Sequence, residues 1–234
     1  MRALVLPALL ILSVFIAAPA AGSGEVTVPA APGALAANLS ADGLLSWLEP
    51  AEGEEGHRRL RYAPALDDGG WGAPVTVTES DNFFANWADL PAVTQLADGS
   101  FIAHWLEKTG ADPYAYGVRV ARSADGKTWK TTGWLHADRS ETEHGFVSWV
   151  PRPGGGVWAF WLDGGAMATG GPMELHGKLL TDDDTGDEDL LDPRVCECCA
   201  TGAALADGGP VVVYRGRSDE EIRDIRIVRR TADG

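Results

Sequence analysis

Basic residues and cysteines are both scarce in this chain of 234 residues. Lysine and arginine together number 19, against 34 aspartates and glutamates, and the net charge is −15. So acidic a chain is a poor partner for nucleic acid, which is bound by a basic surface, and for anionic lipid. Only three cysteines are present, so at most one disulfide can form within the chain.

Long apolar runs are confined to the N-terminus. Arg2 is followed by an apolar run from Ala3 to Ala18 and by Ala18-Pro19-Ala20, which has the form of a signal-peptide cleavage site. The run is shorter than the roughly 20 residues that a membrane span needs. The pattern predicts a signal peptide at residues 1–21 and a periplasmic or secreted mature chain without a membrane span. The alternative is a retained N-terminal anchor.

Long amphipathic helix patterns are also missing, whereas the chain has 29 glycines and nine tryptophans. Four segments share a glycine turn, an apolar strand and then an aromatic residue: Ala41–Pro50, Ala97–Lys108, Pro153–Gly164 and Ala206–Arg217. Their aromatic residues are Trp47, Trp105, Trp161 and Tyr214, at successive intervals of 58, 56 and 53 residues. Repeats of this length with several short strands are typical of β-propeller blades.

The repeat predicts how the chain is organised. Each small sheet cannot bury its faces alone, so blades stack around a common axis and cover one another. The pattern predicts an all-β chain that carries about four blades, near residues 40–78, 90–135, 146–186 and 199–234 of a propeller at 22–234. The alternative is a β-sandwich in which the similarity arose by chance.

The stretch Ser123–Trp129 reads Ser-Ala-Asp-Gly-Lys-Thr-Trp. Its Asp-Gly pair predicts a hairpin turn in which Asp125 accepts backbone N–H groups, and Trp129 is expected to pack between sheets. The stretch resembles the Asp-box, or bacterial neuraminidase repeat, of the sialidase superfamily, with one residue fewer before the tryptophan. Thr231–Gly234 looks like a degenerate copy of the same turn.

The resemblance implies a six-bladed sialidase-like propeller of which this chain is an N-terminal fragment. It also implies a carbohydrate-acting or carbohydrate-binding protein with a glycan or small-molecule substrate, and exo-sialidase hydrolysis if the protein is an enzyme. The Arg-Ile-Pro motif usual in the family is absent, which counts against ordinary sialidase activity.

A sialidase holds its substrate carboxylate with arginines, uses an aspartate as acid/base and attacks with a tyrosine activated by a glutamate. The resemblance makes Asp81 and Asp89, before the second repeat, the candidates for the acid/base. Arg194 and Arg215 are the candidates for channel arginines. The alternative for each is a solvated surface charge.

Two sets of loops are expected to form the functional face, those that precede each repeat and those that leave each aromatic strand. Trp87 and Glu143 lie in the first set and are predicted to bind substrate, Trp87 either stacking on a sugar or packing at a blade junction. The acidic chain would not steer an anionic sugar towards itself. Asp182–Asp184 is either a solvated turn or a carboxylate group suited to Ca²⁺.

All three cysteines, Cys196, Cys198 and Cys199, stand in one Cys-x-Cys-Cys stretch. Three soft thiolates suit Cu(I) or Zn, and His144 on the equivalent loop of the preceding repeat is a predicted further ligand. The spacing matches no standard zinc pattern. The alternatives are a local disulfide and a disulfide to a cysteine outside this sequence.

Three functions follow from these patterns. The first is an exported sialidase-like propeller that acts on or binds carbohydrate. The second is a non-catalytic propeller that binds a protein or glycan partner. The third is a periplasmic metal or redox protein that uses the cysteine cluster.

Overall fold

A computed structural model describes residues 26–53, 55–181 and 186–231. The predicted signal peptide, the Asp182–Asp184 group and the last three residues of the degenerate turn lie outside the described residues. The described chain forms fifteen β-strands and one short 3₁₀ helix at Gly165–Thr169. None of its helices is long and apolar enough to cross a membrane.

The strands form four antiparallel sheets in chain order. The first blade contains β1 (Leu35–Leu39), β2 (Leu44–Pro50), β3 (Arg58–Pro64) and β4 (Val75–Ser80). The second contains β5 (Ala92–Gln95), β6 (Phe101–Lys108), β7 (Tyr116–Ser123) and β8 (Lys130–Trp134). The third contains β9 (His144–Pro151), β10 (Val157–Asp163), β11 (Glu174–Leu180) and β12 (Glu188–Asp192). The fourth has three strands, β13 (Gly202–Ala206), β14 (Gly209–Arg215) and β15 (Ile225–Arg229).

Strand β10 shows how the blades pack against one another. All seven of its residues are buried, because it is covered on both faces. Val157, Ala159 and Trp161 pack against the second blade, and the alternate residues Trp158, Phe160 and Leu162 pack with the fourth. A strand buried on both faces reads as a continuous apolar run, as the sequence of β10 does.

The first strands of the four blades surround a common channel. A cavity of about 340 Å³ is lined from all four of them, including Asn38 of β1, Thr94 of β5, Ser148 of β9 and Ala203 of β13. Sheets arranged in this way are propeller blades rather than the two stacked layers of a sandwich. The prediction of an all-β chain with about four blades of a propeller is therefore confirmed.

The repeated aromatic residues occupy equivalent places in the second strands of their blades. Trp47, Trp105, Trp161 and Tyr214 are each 4% exposed or less. The indole N–H of each tryptophan donates to the carboxylate two residues later, at 2.7 Å for Glu49, 3.1 Å for Glu107 and 2.9 Å for Asp163. Each buried indole therefore has a partner for its polar atom.

The predicted Asp-Gly turn joins β7 to β8. Asp125 Oδ1 accepts the backbone N–H groups of Lys127 at 2.8 Å and Thr128 at 2.7 Å, and Gly126 has a positive φ of 68°. Trp129 packs edge-on against Tyr62 of the first blade, with ring centroids 5.9 Å apart. The turn fastens two blades together, as predicted.

Candidate active site

Loops from three blades surround a cavity of about 600 Å³ at one end of the propeller. The loops between blades contribute residues from Asn86 to Ala88, from Glu141 to Glu143, and Glu197 with Cys198. The loops that leave the aromatic strands contribute Asp112, Tyr114 and Met167. The two predicted loop sets therefore meet at the same face.

The charge of this cavity is wholly negative. Four carboxylates line it, those of Asp112, Glu141, Glu143 and Glu197, and no lysine or arginine is among the lining residues. An anionic ligand would meet repulsion here, whereas a neutral hydroxyl-rich ligand finds several acceptors.

A chain of three hydrogen-bonded side chains lies under the cavity. The Tyr116 hydroxyl donates to Glu143 Oε1 in a short hydrogen bond and also contacts the carboxyl of Asp89. Tyr116 and Asp89 are buried, at 0% and 2% exposure, and Glu143 lines the cavity above them. Because a tyrosine hydroxyl has one proton to donate, a protonated Asp89 completes the chain by donating to Tyr116.

Burial is the main influence on the pKa values of these three side chains. It raises the pKa of Asp89 to about 7; the backbone N–H of Phe146 opposes the shift, and the nearby charge of Glu143 adds to it. Burial also raises the pKa of Glu143, with a further contribution from the charge of Glu197. The pKa of Tyr116 is raised far above its usual range, first by burial and then by the two carboxylates. Tyr116 is therefore a neutral hydroxyl that is hydrogen-bonded to Glu143.

The backbone of β9 is shaped to receive Asp89. A Cβ at Gly145 would overlap Asp89 Oδ2, so no larger residue fits without a shift. The following residue, Phe146, has a positive φ of 53°, and the pairing of β9 with β10 is irregular beside it. Bulges and positive φ values in non-glycine residues are common next to active sites, where they re-aim backbone groups. Here the distortion presents the Phe146 N–H to Asp89.

The aromatic residues before the second blade have two different roles. Phe84 stacks on Tyr116 with ring centroids 4.0 Å apart, and Phe83 packs edge-on against Trp105. Trp87 instead lines the cavity and is 92% exposed. Asn86 holds this loop by accepting the N–H of Ala88 at 2.9 Å. Trp87 is thus placed to offer a flat apolar face to a ligand.

The structure separates the other predicted site residues. Asp81 is exposed and does not line the cavity. Arg194 pairs with Asp219 at 3.1 Å, and Arg215 donates to the carbonyl of Arg223 at 2.9 Å. Neither arginine lines the cavity. Of the four residues proposed for catalysis, only Asp89 lies beneath it.

His144 lies apart from the cysteines. It is fully buried, stacks on His136 with ring centroids 4.0 Å apart, and forms with His136 and Asp163 one group of side chains close enough to share an ion. Its Nε2 atom lies 3.1 Å from Asp138 and 3.4 Å from Asp163. Cys196, Cys198 and Cys199 form a second such group by themselves.

Tyr116 and Glu197 were missed from the sequence. Glu197 carries ion pairs with Arg217 and, at 3.4 Å, with Arg223. Tyr116 begins a strand and has no local signal that marks it, although the sialidase resemblance called for a tyrosine paired with a glutamate. Glu143, the predicted substrate-binding residue, turned out to be its partner.

Comparisons with solved structures identify the fold. The chain is similar to the α-L-arabinanase of Penicillium chrysogenum, solved with arabinobiose, with a TM-score of 0.52 and 13% identity over 82% of this chain and 57% of that one. The chain has a β-propeller fold. It also matches an α-L-arabinofuranosidase from Lactobacillus brevis, with a TM-score of 0.52 and 10% identity over 85% of this chain and 67% of that one.

A third similar structure is the α-L-arabinofuranosidase Arb93A of Fusarium graminearum in complex with an iminosugar inhibitor. Its TM-score is 0.51 and its identity 15%, over 86% of this chain and 63% of that one. This chain therefore spans between 57% and 67% of the length of these three proteins. The sialidase resemblance is supported for the propeller fold and not for that superfamily. No model of a protein family matches the chain, and no curated protein matches it either.

Proposed function

We propose that this protein is a glycoside hydrolase that acts on a neutral sugar of the arabinofuranoside type in the acidic cavity. The observation that carries the proposal is the Asp89–Tyr116–Glu143 hydrogen-bonded chain, which ends at a carboxyl group on the cavity wall. Glycosidases use a pair of carboxyl groups, one held protonated and one ionised.

Glu143 suits the role of general acid. Burial and the neighbouring charge of Glu197 raise its pKa, which favours the protonated form. The hydrogen bond from Tyr116 fixes one of its carboxyl oxygens and leaves the other for the leaving-group oxygen of a substrate. A general acid must reach the atom that it protonates, and Glu143 lines the cavity.

Glu197 suits the second role, that of nucleophile or general base. Its carboxylate pairs with the guanidinium groups of Arg217 and Arg223. Glu143 has a second carboxylate near it, whereas Glu197 has two guanidinium groups, so the two glutamates have opposite electrostatic surroundings within one cavity, as an acid and a base require.

The lining of the cavity selects the class of sugar. Its ionised carboxylates, those of Asp112, Glu141 and Glu197, oppose the carboxylate of a sialic acid, and among the described residues no arginine that would bind one lines it. A neutral pentose or hexose is compatible with the same groups, and Trp87 offers a face for stacking. Two of the similar structures hold arabinobiose or an iminosugar inhibitor, which supports an arabinose-containing substrate.

The test is hydrolysis of 4-nitrophenyl α-L-arabinofuranoside and arabino-oligosaccharides by the purified protein and by Glu143→Gln. Loss of a general acid is expected to lower kcat on arabino-oligosaccharides by about 10²–10⁴-fold, because their sugar leaving group must be protonated, and to lower it less on the 4-nitrophenyl substrate, because 4-nitrophenolate leaves without a proton. Asp81→Asn is the matched control, since it removes an exposed carboxylate that does not line the cavity. Equal activity of E143Q and wild type on arabino-oligosaccharides would refute the assignment.

Two further measurements distinguish the competing functions. A fluorogenic sialoside tests the exo-sialidase expectation, and turnover of it in place of the arabinosides would overturn the neutral-sugar proposal. Binding of arabino-oligosaccharides, followed by tryptophan fluorescence, tests the non-catalytic alternative. Binding that is the same in wild type and E143Q, with no hydrolysis by wild type, would make the protein a glycan-binding propeller.

A further inference from the structure

The cysteine cluster lies in the connection between the third and fourth blades, and its backbone is pinned on both sides. The Val195 N–H donates to the carbonyl of Met173 at 2.9 Å, and the Cys196 N–H donates to the carbonyl of Arg215 at 2.9 Å. The loop is therefore attached to the strands of two blades. A site on this loop is therefore held in place by the sheets of both blades.

The three thiols converge on one point. The sulfur of Cys196 lies 3.8 Å from that of Cys198 and 3.3 Å from that of Cys199, and all three sulfurs lie within 4.8 Å of one another. No disulfide joins them. Metal–thiolate bonds of about 2.3 Å place sulfurs around one ion roughly 4 Å apart. The observed spacing is close to that geometry.

Positive charge surrounds the sulfurs. Arg215 Nη1 lies 3.7 Å from the sulfur of Cys199, and Arg223 Nη1 lies 3.4 Å from the sulfur of Cys196. Two guanidinium groups thus lie beside the sulfurs of Cys196 and Cys199, where their positive charge offsets the negative charge of metal-bound thiolates.

The donor set favours Cu(I) over Zn²⁺. Zinc in structural sites takes four ligands, whereas only three side chains converge here among the described residues. The nearest carboxylate in the loop, Glu197, is engaged by Arg217 and Arg223. Three thiolates and one Cu(I) carry a net charge of −2, which the two guanidinium groups beside the sulfurs offset. Soft thiolate ligands suit both Cu(I) and zinc, so the number of ligands carries the preference for Cu(I).

We propose that Cys196, Cys198 and Cys199 bind one Cu(I) ion through three thiolates at the rim of the acidic cavity. Binding releases the protons of three thiols and changes no oxidation state. Cys196 is buried, whereas Cys198 is exposed and lines the cavity, so the ion enters from the cavity side. The site stands on its own residues and does not depend on the proposed hydrolase activity.

The test is an anaerobic titration of the fully reduced protein with Cu(I) in competition with bicinchoninate. One Cu(I) per chain is expected, together with protection of all three thiols from alkylation, measured by mass spectrometry. Cys199→Ser and Cys198→Ser should each weaken Cu(I) binding by more than about 100-fold. Loss of a residue that only supports a ligand costs about 10–100-fold, and loss of a ligand should cost more. Cys196→Ser removes a buried group, so its thermal stability is measured alongside.

Met167→Leu is the matched control, because its thioether lines the same cavity but is not in the cluster. It should bind Cu(I) like wild type. A parallel titration with Zn²⁺ against a chromogenic chelator distinguishes the metals, and tighter binding of Zn²⁺ than of Cu(I) would overturn the assignment. Failure of the reduced protein to compete with bicinchoninate would refute the site, as would undiminished binding in both C198S and C199S.

Discussion

Two buried carboxyl groups in neighbouring parts of the propeller have pKa values that are shifted in opposite directions. Glu49 in the first blade and Asp89 under the cavity are 0% and 2% exposed. Burial raises the pKa of both groups, yet the pKa of Glu49 falls to about 2 and that of Asp89 rises to about 7. The number of donors makes the difference.

The Glu49 carboxylate accepts from four partners. These are the Ala31 N–H at 2.9 Å, the Trp47 indole at 2.7 Å, Arg59 at 2.7 Å and Arg61 at 3.0 Å. Asp89 has one backbone N–H donor and an unfavourable neighbouring charge, and its Oδ2 atom has no hydrogen-bond partner among the described residues. Glu49 is therefore a carboxylate that supports the scaffold, whereas Asp89 is a carboxyl group whose proton remains exchangeable near neutral pH.

The largest effect is expected from removing the scaffold carboxylate. Glu49→Ala leaves two arginines and a buried indole without their acceptor, which should lower the free energy of unfolding by about 3–5 kcal/mol. For a chain of this size that corresponds to a fall in Tm of roughly 6–20 °C. Thermal unfolding followed by circular dichroism measures it, with the exposed Glu52→Ala as control. A change below about 1 kcal/mol would contradict the structural role given to Glu49.

A smaller, pH-dependent effect is expected at Asp89. Its folded pKa of about 7 lies above the usual 3.8, so the folded state holds its proton more tightly and stability falls as the pH rises from about 4 to 7. Asp89→Asn mimics the protonated form and removes that loss. Between pH 5 and pH 8, wild type should lose about 2–3 kcal/mol more stability than D89N.

Urea unfolding at the two pH values measures the Asp89 difference. Asp81→Asn is the control, because this aspartate is exposed and its substitution should leave the pH dependence as in wild type. Parallel pH dependences for wild type and D89N would show that Asp89 is ionised in the folded protein throughout this range.

The smallest effect is expected at Trp87, which touches the cavity and little of the scaffold. Because Trp87 is 92% exposed, Trp87→Ala should leave the Tm within about 1–2 °C of wild type. Loss of a stacking face should weaken arabino-oligosaccharide binding by about 2–10-fold. Isothermal titration calorimetry measures the affinity, and a large fall in Tm with unchanged affinity would assign Trp87 to the scaffold.

Much of the fold was readable from the sequence. The four aromatic residues recur because each blade needs the same strand, turn and buried ring, and these are local requirements that leave a period in the chain. The Asp125 turn was predictable for the same reason, since its partners lie within three residues. The cysteines were found because they are neighbours in sequence.

The site depended on contacts between segments that are distant in the chain. The sequence offered Asp81 and Asp89 on equal terms, and only packing buried one and exposed the other. Tyr116 meets Glu143 across a blade interface, and His144 turned towards Asp163 instead of the cysteines.

By itself, then, the sequence determined the number and kind of blades and the existence of a thiol cluster, because both are written in short-range patterns. Only the tertiary structure decided which carboxylates are buried, which are paired and which face the cavity. Proton affinity depends on burial and on donors brought from other blades, and neither has a signature in the local sequence.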